Sequence, residues 1–90
     1  MKTFTKDPDE VMDFSIDWEP WLLDNSDTIS SSAFTVPAGI TKDSESNTTL
    51  VGTVWLSGGS EDATYTIESR IVTAGGRTLD RSFNIYVVSA

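Results

Sequence analysis

The sequence of 90 residues contains no cysteine and no histidine. These absences exclude a disulfide framework, a thiolate nucleophile, the usual zinc sites and any catalytic arrangement that uses an imidazole base. Only six lysines and arginines oppose 14 acidic residues, which gives a formal net charge of −8. Because phosphate binding needs clustered Lys and Arg, this balance argues against a protein that binds nucleic acid.

Long apolar runs are also missing. Residues 50–56 are one of the longest uncharged apolar stretches, and a segment that short cannot span a bilayer. The first ten residues contain three acidic side chains and no apolar run of the kind found in a secretion signal. We therefore expect no membrane association. A cysteine-free chain without a signal fits synthesis in a reducing cytoplasm.

The residues that are abundant favour strands. Serine and threonine together make up 24 of the 90 residues, and strong helix formers such as Ala, Leu, Lys and Gln are sparse. From Met12 to Trp18, apolar and polar side chains alternate, which predicts a strand with Phe14, Ile16 and Trp18 facing a core. Trp18 is accordingly predicted to be a structural residue of that core.

The rest of the chain repeats this pattern. Further strands are predicted at residues 28–36, 40–42, 48–56, 64–73 and 78–88, with a polar loop at 43–47. Gly75 and Gly76 predict a tight hairpin turn, since glycine tolerates positive φ. No segment carries an apolar stripe with helical spacing, so no helix is predicted. Residues 1–10 are predicted to be an N-terminal arm or a first edge strand, and residues 11–90 the folded domain.

Six or seven strands at this spacing predict an all-β fold, a small antiparallel immunoglobulin-like β-sandwich. Tyr65 lies two residues before the predicted core residue Ile67, where such domains place a corner tyrosine that hydrogen-bonds back to the preceding turn. A five-stranded OB barrel is the alternative fold. It is less favoured because its usual basic, aromatic-rich binding face is missing here.

Catalytic and metal-binding patterns are weak. A Ser–Lys pair would have to use lysines in predicted tails or loops, and a sandwich this small leaves little room for a cleft around paired carboxylates. We therefore predict no enzyme, no cofactor and no metal. Asp24-Asn25-Ser26-Asp27, with Asp17 and Glu19 nearby, could supply oxygen ligands to calcium, but turn formation explains these residues better.

Surface aromatics and arginines are the remaining candidates. Trp55 is out of phase with the core residues of its strand, and Trp21 follows a predicted strand, so both are candidate contacts for a protein or a sugar. We favour a protein interface, to which Arg77 and Arg81 of the last hairpin would contribute. Residues 1–27 hold eight acids and two lysines, a net of −6. This asymmetry allows head-to-tail contact between copies or partners, or pairing within the chain.

Several segments together carry a family resemblance: Met1-Lys2-Thr3-Phe4-Thr5-Lys6-Asp7-Pro8-Asp9, Asp13-Phe14-Ser15-Ile16-Asp17-Trp18, Trp21-Leu22, Asp27-Thr28-Ile29, Phe34-Thr35-Val36-Pro37-Ala38-Gly39, Val54-Trp55-Leu56-Ser57-Gly58-Gly59, Tyr65-Thr66-Ile67 and Arg70-Ile71-Val72-Thr73-Ala74-Gly75-Gly76-Arg77-Thr78. With these segments the chain resembles a family of small tailed-bacteriophage virion proteins. These proteins are of the fiber–tail adaptor or head–tail-region type and have an immunoglobulin-like fold.

The resemblance implies a non-enzymatic virion structural protein, made in the host cytoplasm. It implies an adaptor that docks through protein–protein contacts in the tail or head–tail region. The expected partners are phage tail, fiber or capsid proteins and copies of the chain itself. The alternative is a virion surface decoration or carbohydrate-binding immunoglobulin-like domain.

Overall fold

A computed structural model describes residues 2–89, which form seven strands and one short helix. The strands are β1 (Thr3–Lys6), β2 (Met12–Asp17), β3 (Ile29–Thr35), β4 (Ile40–Asn47), β5 (Val51–Gly58), β6 (Thr64–Thr73) and β7 (Thr78–Val87), and the helix is α1 (Glu19–Asp24).

Two sheets form the sandwich. One has the strand order β1-β7-β6-β3 and the other β2-β5-β4. All neighbours are antiparallel except β1, which runs parallel to β7. If β2 to β7 are taken as strands B to G, the sheets read B-E-D and G-F-C, as in immunoglobulin constant-type domains. The predicted small immunoglobulin-like β-sandwich is confirmed.

The core lies between the inner faces of the two sheets. Phe14 on β2 and Val54 on β5 face it from one sheet, and Ile67 on β6 and Ile85 on β7 face it from the other. All four side chains are buried because the period of two in each strand turns alternate residues inward. Trp18, just after β2, is also buried, with 3% of its surface exposed.

The helix α1 shows that the prediction of no helix was wrong. Pro20 lies in its first turn, where the missing N–H costs no hydrogen bond, and Leu22 is fully buried under it. A helix of six residues is too short for its apolar positions to repeat. Periodicity therefore could not reveal it.

Strand β4 is a second correction, because the predicted polar loop at residues 43–47 is its C-terminal part. After Ile40, every residue of β4 is exposed, so no apolar alternation marks the strand. Its backbone pairs with β5 as far as Asn47, and a register shift falls between Lys42 and Ser44. Pairing with a neighbour, rather than side-chain burial, holds this segment extended.

The N-terminal segment contains an edge strand. Strand β1 pairs with residues 84–87 of β7. Lys6 at its end is buried, and its Nζ donates hydrogen bonds to the carbonyls of Asp7 (2.9 Å) and Gly58 (2.8 Å). Since Gly58 belongs to β5, this lysine links the two sheets.

Candidate functional site

The outer surface of the β2-β5-β4 sheet carries an exposed tryptophan at its centre. Trp55 lies on the middle strand β5, with 41% of its surface exposed. Its partners across the ladder are Asp13 on β2 and Ser44 on β4, which share its side of the sheet. We call this surface, formed by Asp13, Ser15, Asp43, Ser44, Thr53, Trp55 and Ser57, the Trp55 face.

Polar groups surround the indole of Trp55. The hydroxyls of Ser15 and Thr53 lie 2.9 Å apart, and the Ser57 hydroxyl donates to an Asp43 carboxylate oxygen at 3.1 Å. One large aromatic ring within a rim of hydroxyls and carboxylates is the arrangement of many protein-interface hot spots. A sugar platform would usually present several coplanar rings.

Two other tryptophans lie beside arginines of the β6–β7 hairpin. The Arg81 guanidinium lies 4.6 Å from the ring centre of Trp18, and that of Arg77 lies 5.9 Å from Trp21. Trp21 is half-buried against the core. These cation–π contacts fix both arginines against the domain.

The loop considered for calcium is anchored to the same hairpin. One Asp27 carboxylate oxygen accepts from the N–H groups of Thr28 (2.9 Å) and Gly75 (3.0 Å), and the other accepts from Arg77 (2.8 Å). Hydrogen bonds from the Thr73 hydroxyl, Gly75, Thr28 and Arg77 lower the pKa of Asp27 to about 2. Both oxygens of this buried carboxylate are thus engaged by donors of the chain itself.

A metal site has no support in the part of the chain that the structure describes. Residues 2–89 contain no group of three or more acidic side chains placed to hold a metal ion. Asp24 ends α1, and the side-chain amide of Asn25 donates to the Trp21 carbonyl at 2.9 Å. The loop therefore closes the helix and fastens the hairpin.

The hairpin arginines pair mainly within the chain. Arg70 donates two hydrogen bonds to the Asp80 carboxylate, at 2.7 and 3.1 Å. This hydrogen-bonded pair raises the pKa of Arg70 and lowers that of Asp80. With Arg77 bound to Asp27, intramolecular pairing engages two of the three arginines of this hairpin, and one of them, Arg77, is a predicted interface residue.

The glycines of this hairpin have distinct roles. Gly76 has a φ of +87°, which favours glycine. Gly75 is favoured for a steric reason instead, because an added Cβ would lie 2.9 Å from an Asp27 carboxylate oxygen. A larger residue there would displace the carboxylate that anchors the hairpin.

Tyr65 forms a corner at the start of β6. Its phenolic oxygen accepts a hydrogen bond from the Ser60 N–H at 2.9 Å, which lowers the pKa of Tyr65. The hydrogen bond spans the turn between β5 and β6, as the corner tyrosine of immunoglobulin-like domains does.

The sequence analysis did not predict a pair of charged residues that hydrogen-bond to the backbone at a strand edge. At the free edge of β3, the Phe34 N–H donates to a Glu45 carboxylate oxygen (2.8 Å) and the Phe34 carbonyl accepts from Lys42 Nζ (3.2 Å). The two charges also pair with each other, at 3.2 Å. We call this feature the capped edge. Only an i, i+3 spacing of opposite charges in the sequence hinted at it.

The predicted binding residues thus fall in two places. Trp21, Arg77 and Arg81 lie near the end formed by α1 and the β6–β7 hairpin, whereas Trp55 lies on the outer face of the other sheet. Across residues 2–89, these features define a small immunoglobulin-like β-sandwich with exposed aromatic and charged residues on its surface. Within the described residues, no helix is long and apolar enough to cross a membrane.

Comparison with known proteins gives the family. A family model described as podophage GP4 fiber-tail adaptor protein gp77 matches residues 6–86. The chain belongs to this family, and the resemblance to phage fiber–tail adaptor proteins is confirmed. A search of curated proteins returns no match.

Proposed function

We propose that this protein is a non-enzymatic structural protein of the virion that joins tail and fiber proteins through protein–protein contacts. The observation that carries the proposal is the family match over residues 6–86. On this view the chain is made in the host cytoplasm and assembles into the tail or head–tail region.

The shape of the domain supports an adaptor role. An adaptor must hold two partners at once, so it needs separated contact surfaces on a stiff body. The described residues extend 42 × 21 × 17 Å and share one core between two sheets. The Trp55 face lies on one sheet and the arginine-bearing hairpin belongs to the other. Two partners could therefore bind without competing.

Trp55 is the proposed anchor of one contact. Tryptophan buried at the centre of an interface is among the residues whose removal costs most binding energy. At the other end, Trp21, Arg77 and Arg81 are proposed contacts. Arg81 forms no salt bridge within residues 2–89, so its charge can still meet a carboxylate of a partner.

Complementation of a phage deleted for this gene tests the proposal. Purified virions should contain the wild-type protein and the fibers, and Trp55→Ala should reduce incorporation about 30-fold, as expected for a hot-spot tryptophan. The thermal midpoint of the isolated variant should change little, since Trp55 lies outside the core.

Val72→Ala is the matched control, because Val72 is similarly exposed (39%) but lies on the other sheet. It should assemble like the wild type. Virions that carry fibers normally without this protein would contradict the adaptor role.

Carbohydrate binding is the second candidate function. The observation that favours it is the rim of hydroxyls and carboxylates around Trp55, since sugars bind through such groups and an aromatic ring. The isolated domain would then bind a glycan array, and Trp55→Ala would abolish that signal while fibers remained attached.

A further inference from the structure

A pocket opens between the two sheets on the side where β1, β2 and β7 meet. Its volume is about 400 Å³. Phe4, Ile16 and Phe83 give it an apolar floor, with the Phe4 and Phe83 rings 5.6 Å apart. Lys2, Asp17 and Arg81 are charged residues of its lining. An apolar side chain that entered between the sheets would pack against this floor.

Strand β2 forms one border of this pocket and has a free edge. Among residues 2–89, β2 pairs with β5 alone. The Trp18 N–H donates to the Leu50 carbonyl at 3.0 Å. Because antiparallel ladders alternate, the backbone groups of Phe14 and Ile16 also point towards β5, and those of Ser15 point to the free edge.

Apart from the charges of Asp13 and Asp17, β2 lacks several of the usual protections of an edge strand. It contains no proline, no lysine and no register shift. Within the described chain, no side chain hydrogen-bonds to its backbone groups, in contrast to the capped edge at Phe34. Its edge can therefore accept an additional strand.

The opposite border of the pocket is open as well. Strand β1 covers residues 84–87 of β7, so residues 78–83 pair with β6 alone in the part of the chain that the structure describes. Both sheets thus lack a neighbour at the same place. A strand added to β2 would turn every second side chain inwards, towards the floor of Phe4, Ile16 and Phe83.

The charges at this place indicate the chemistry of the occupant. Lys2 lies 5.0 Å from the Phe4 ring centre and Arg81 covers Trp18, but neither forms a salt bridge within residues 2–89. An acidic side chain two residues from the inserted apolar one would share its face and could reach these cations.

A second copy of this chain is disfavoured as the occupant. Antiparallel pairing of two β2 edges about Ser15 would place Asp13 of one copy opposite Asp17 of the other. Like charges directly opposite each other destabilise a strand pair. The acidic residues that alternate along β2 thus oppose self-pairing while leaving the edge open to a different sequence.

We propose that the edge of β2, with its adjoining pocket, binds an extended segment of a partner protein of the virion. We call this place the open edge. The segment adds a fourth strand to the β2-β5-β4 sheet, inserts one large apolar side chain into the pocket and presents an acidic residue to Lys2 and Arg81. This inference rests on the proposed adaptor function and specifies how one partner is held.

A proline on the free edge tests the strand addition. Ser15→Pro removes an outward-facing N–H without removing a hydrogen bond to β5, and proline is tolerated at such positions. Ser15→Ala is the matched control, because both variants lose the hydroxyl contact with Thr53 but only the proline blocks pairing. In the complemented phage, Ser15→Pro should be incorporated about tenfold less than Ser15→Ala, equivalent to about 1.4 kcal/mol.

Hydrogen exchange of the wild-type protein provides a measurement that needs no variant. The peptide spanning Met12–Asp17 should exchange at least about tenfold more slowly in purified virions than in the isolated domain, because added pairing protects its outward N–H groups. Equal exchange rates in the two states, or Ser15→Pro incorporated within twofold of Ser15→Ala, would overturn the open-edge proposal and leave the adaptor function standing.

Two further outcomes have separate meanings. Protection of Met12–Asp17 that appears in the isolated domain as its concentration rises would make a second copy the occupant, and would overturn the proposal of a different partner. Absence of the wild-type protein from purified virions would overturn the adaptor function itself, and the open-edge proposal with it.

Discussion

The edge strands β3 and β2 differ in whether side chains hydrogen-bond to the backbone groups at their free edges. At the capped edge, Glu45 and Lys42 occupy the N–H and the carbonyl of Phe34, so those groups are closed to another chain. Within residues 2–89, no side chain hydrogen-bonds to the backbone groups of β2, and an apolar pocket lies beside this strand. Because an unprotected edge is a template for pairing, a domain that blocks one edge and exposes another has a defined direction of association.

The register shift in β4 explains how the capped edge arises. Lys42 is opposite Leu56 and Glu45 is opposite Val54, both of which face inwards. Without the extra residue Asp43, side chains three positions apart would point to opposite faces. The bulge therefore turns both charged residues to the side where β3 lies, and no similar device occurs along β2.

The largest expected effect concerns the open side. Phe4 packs against Phe14 and Phe83, at ring-centre distances of 5.4 and 5.6 Å. Phe4→Ala should lower the free energy of unfolding by about 2–3 kcal/mol, less than for a fully buried ring because Phe4 is half-buried. Urea denaturation measures the change.

Leu23→Ala is the control for that variant. Leu23 is 60% exposed on α1, and its truncation should change the free energy of unfolding by no more than about 0.5 kcal/mol. If Phe4→Ala were equally mild, the Phe4 ring in the floor of the pocket would not contribute to the core.

A smaller effect is expected at the capped edge. Glu45→Ala leaves the Phe34 N–H without its acceptor, which should cost about 1 kcal/mol and make the domain self-associate with rising concentration. Sedimentation velocity and urea denaturation report the two effects. Glu45→Gln keeps an acceptor oxygen and should remain monomeric. A monomeric Glu45→Ala variant would show that the cap does not control association.

Acid should weaken the end of the sandwich that Asp27 anchors. The folded pKa of Asp27 lies at about 2, below the ordinary value of 3.8, so its stabilisation is complete above that value and is lost as the pH falls from about 4 towards 2. The free energy of unfolding, measured by urea denaturation at several pH values between 2 and 5, should therefore fall more steeply with falling pH for the wild type than for Asp27→Asn. Parallel curves would assign the acid sensitivity to other groups, including those at the two edges.

Much of the fold could be predicted because it is encoded in local alternation. The strands β2, β6 and β7 each place most of their apolar side chains in one alternating phase, and their predicted bounds agree closely with the structure. The helix α1 and the second half of β4 lack such a signal. One is shorter than two helical turns, and the other is exposed on nearly every side chain.

The candidate sites were predicted less completely. The phase of Trp55 in its strand pointed to an exposed surface, and the structure adds its neighbours Asp13 and Ser44 from strands far apart in sequence. Arg77 stays a predicted interface residue, and the structure adds its ion pair with Asp27, 50 residues away. Spacing along the chain cannot reveal such a partner, since the turn of the whole hairpin brings the two together.

The sequence by itself determined the class of the protein: a cysteine-free, acidic, all-β domain with inward apolar residues alternating along its strands. Those properties depend on composition and on neighbours along one strand, so they can be read from the order of residues. The tertiary structure alone decided which strand edges are capped and which are open. That outcome depends on a single bulge in β4 and on where β1 ends beside β7, which are properties of pairing between distant segments.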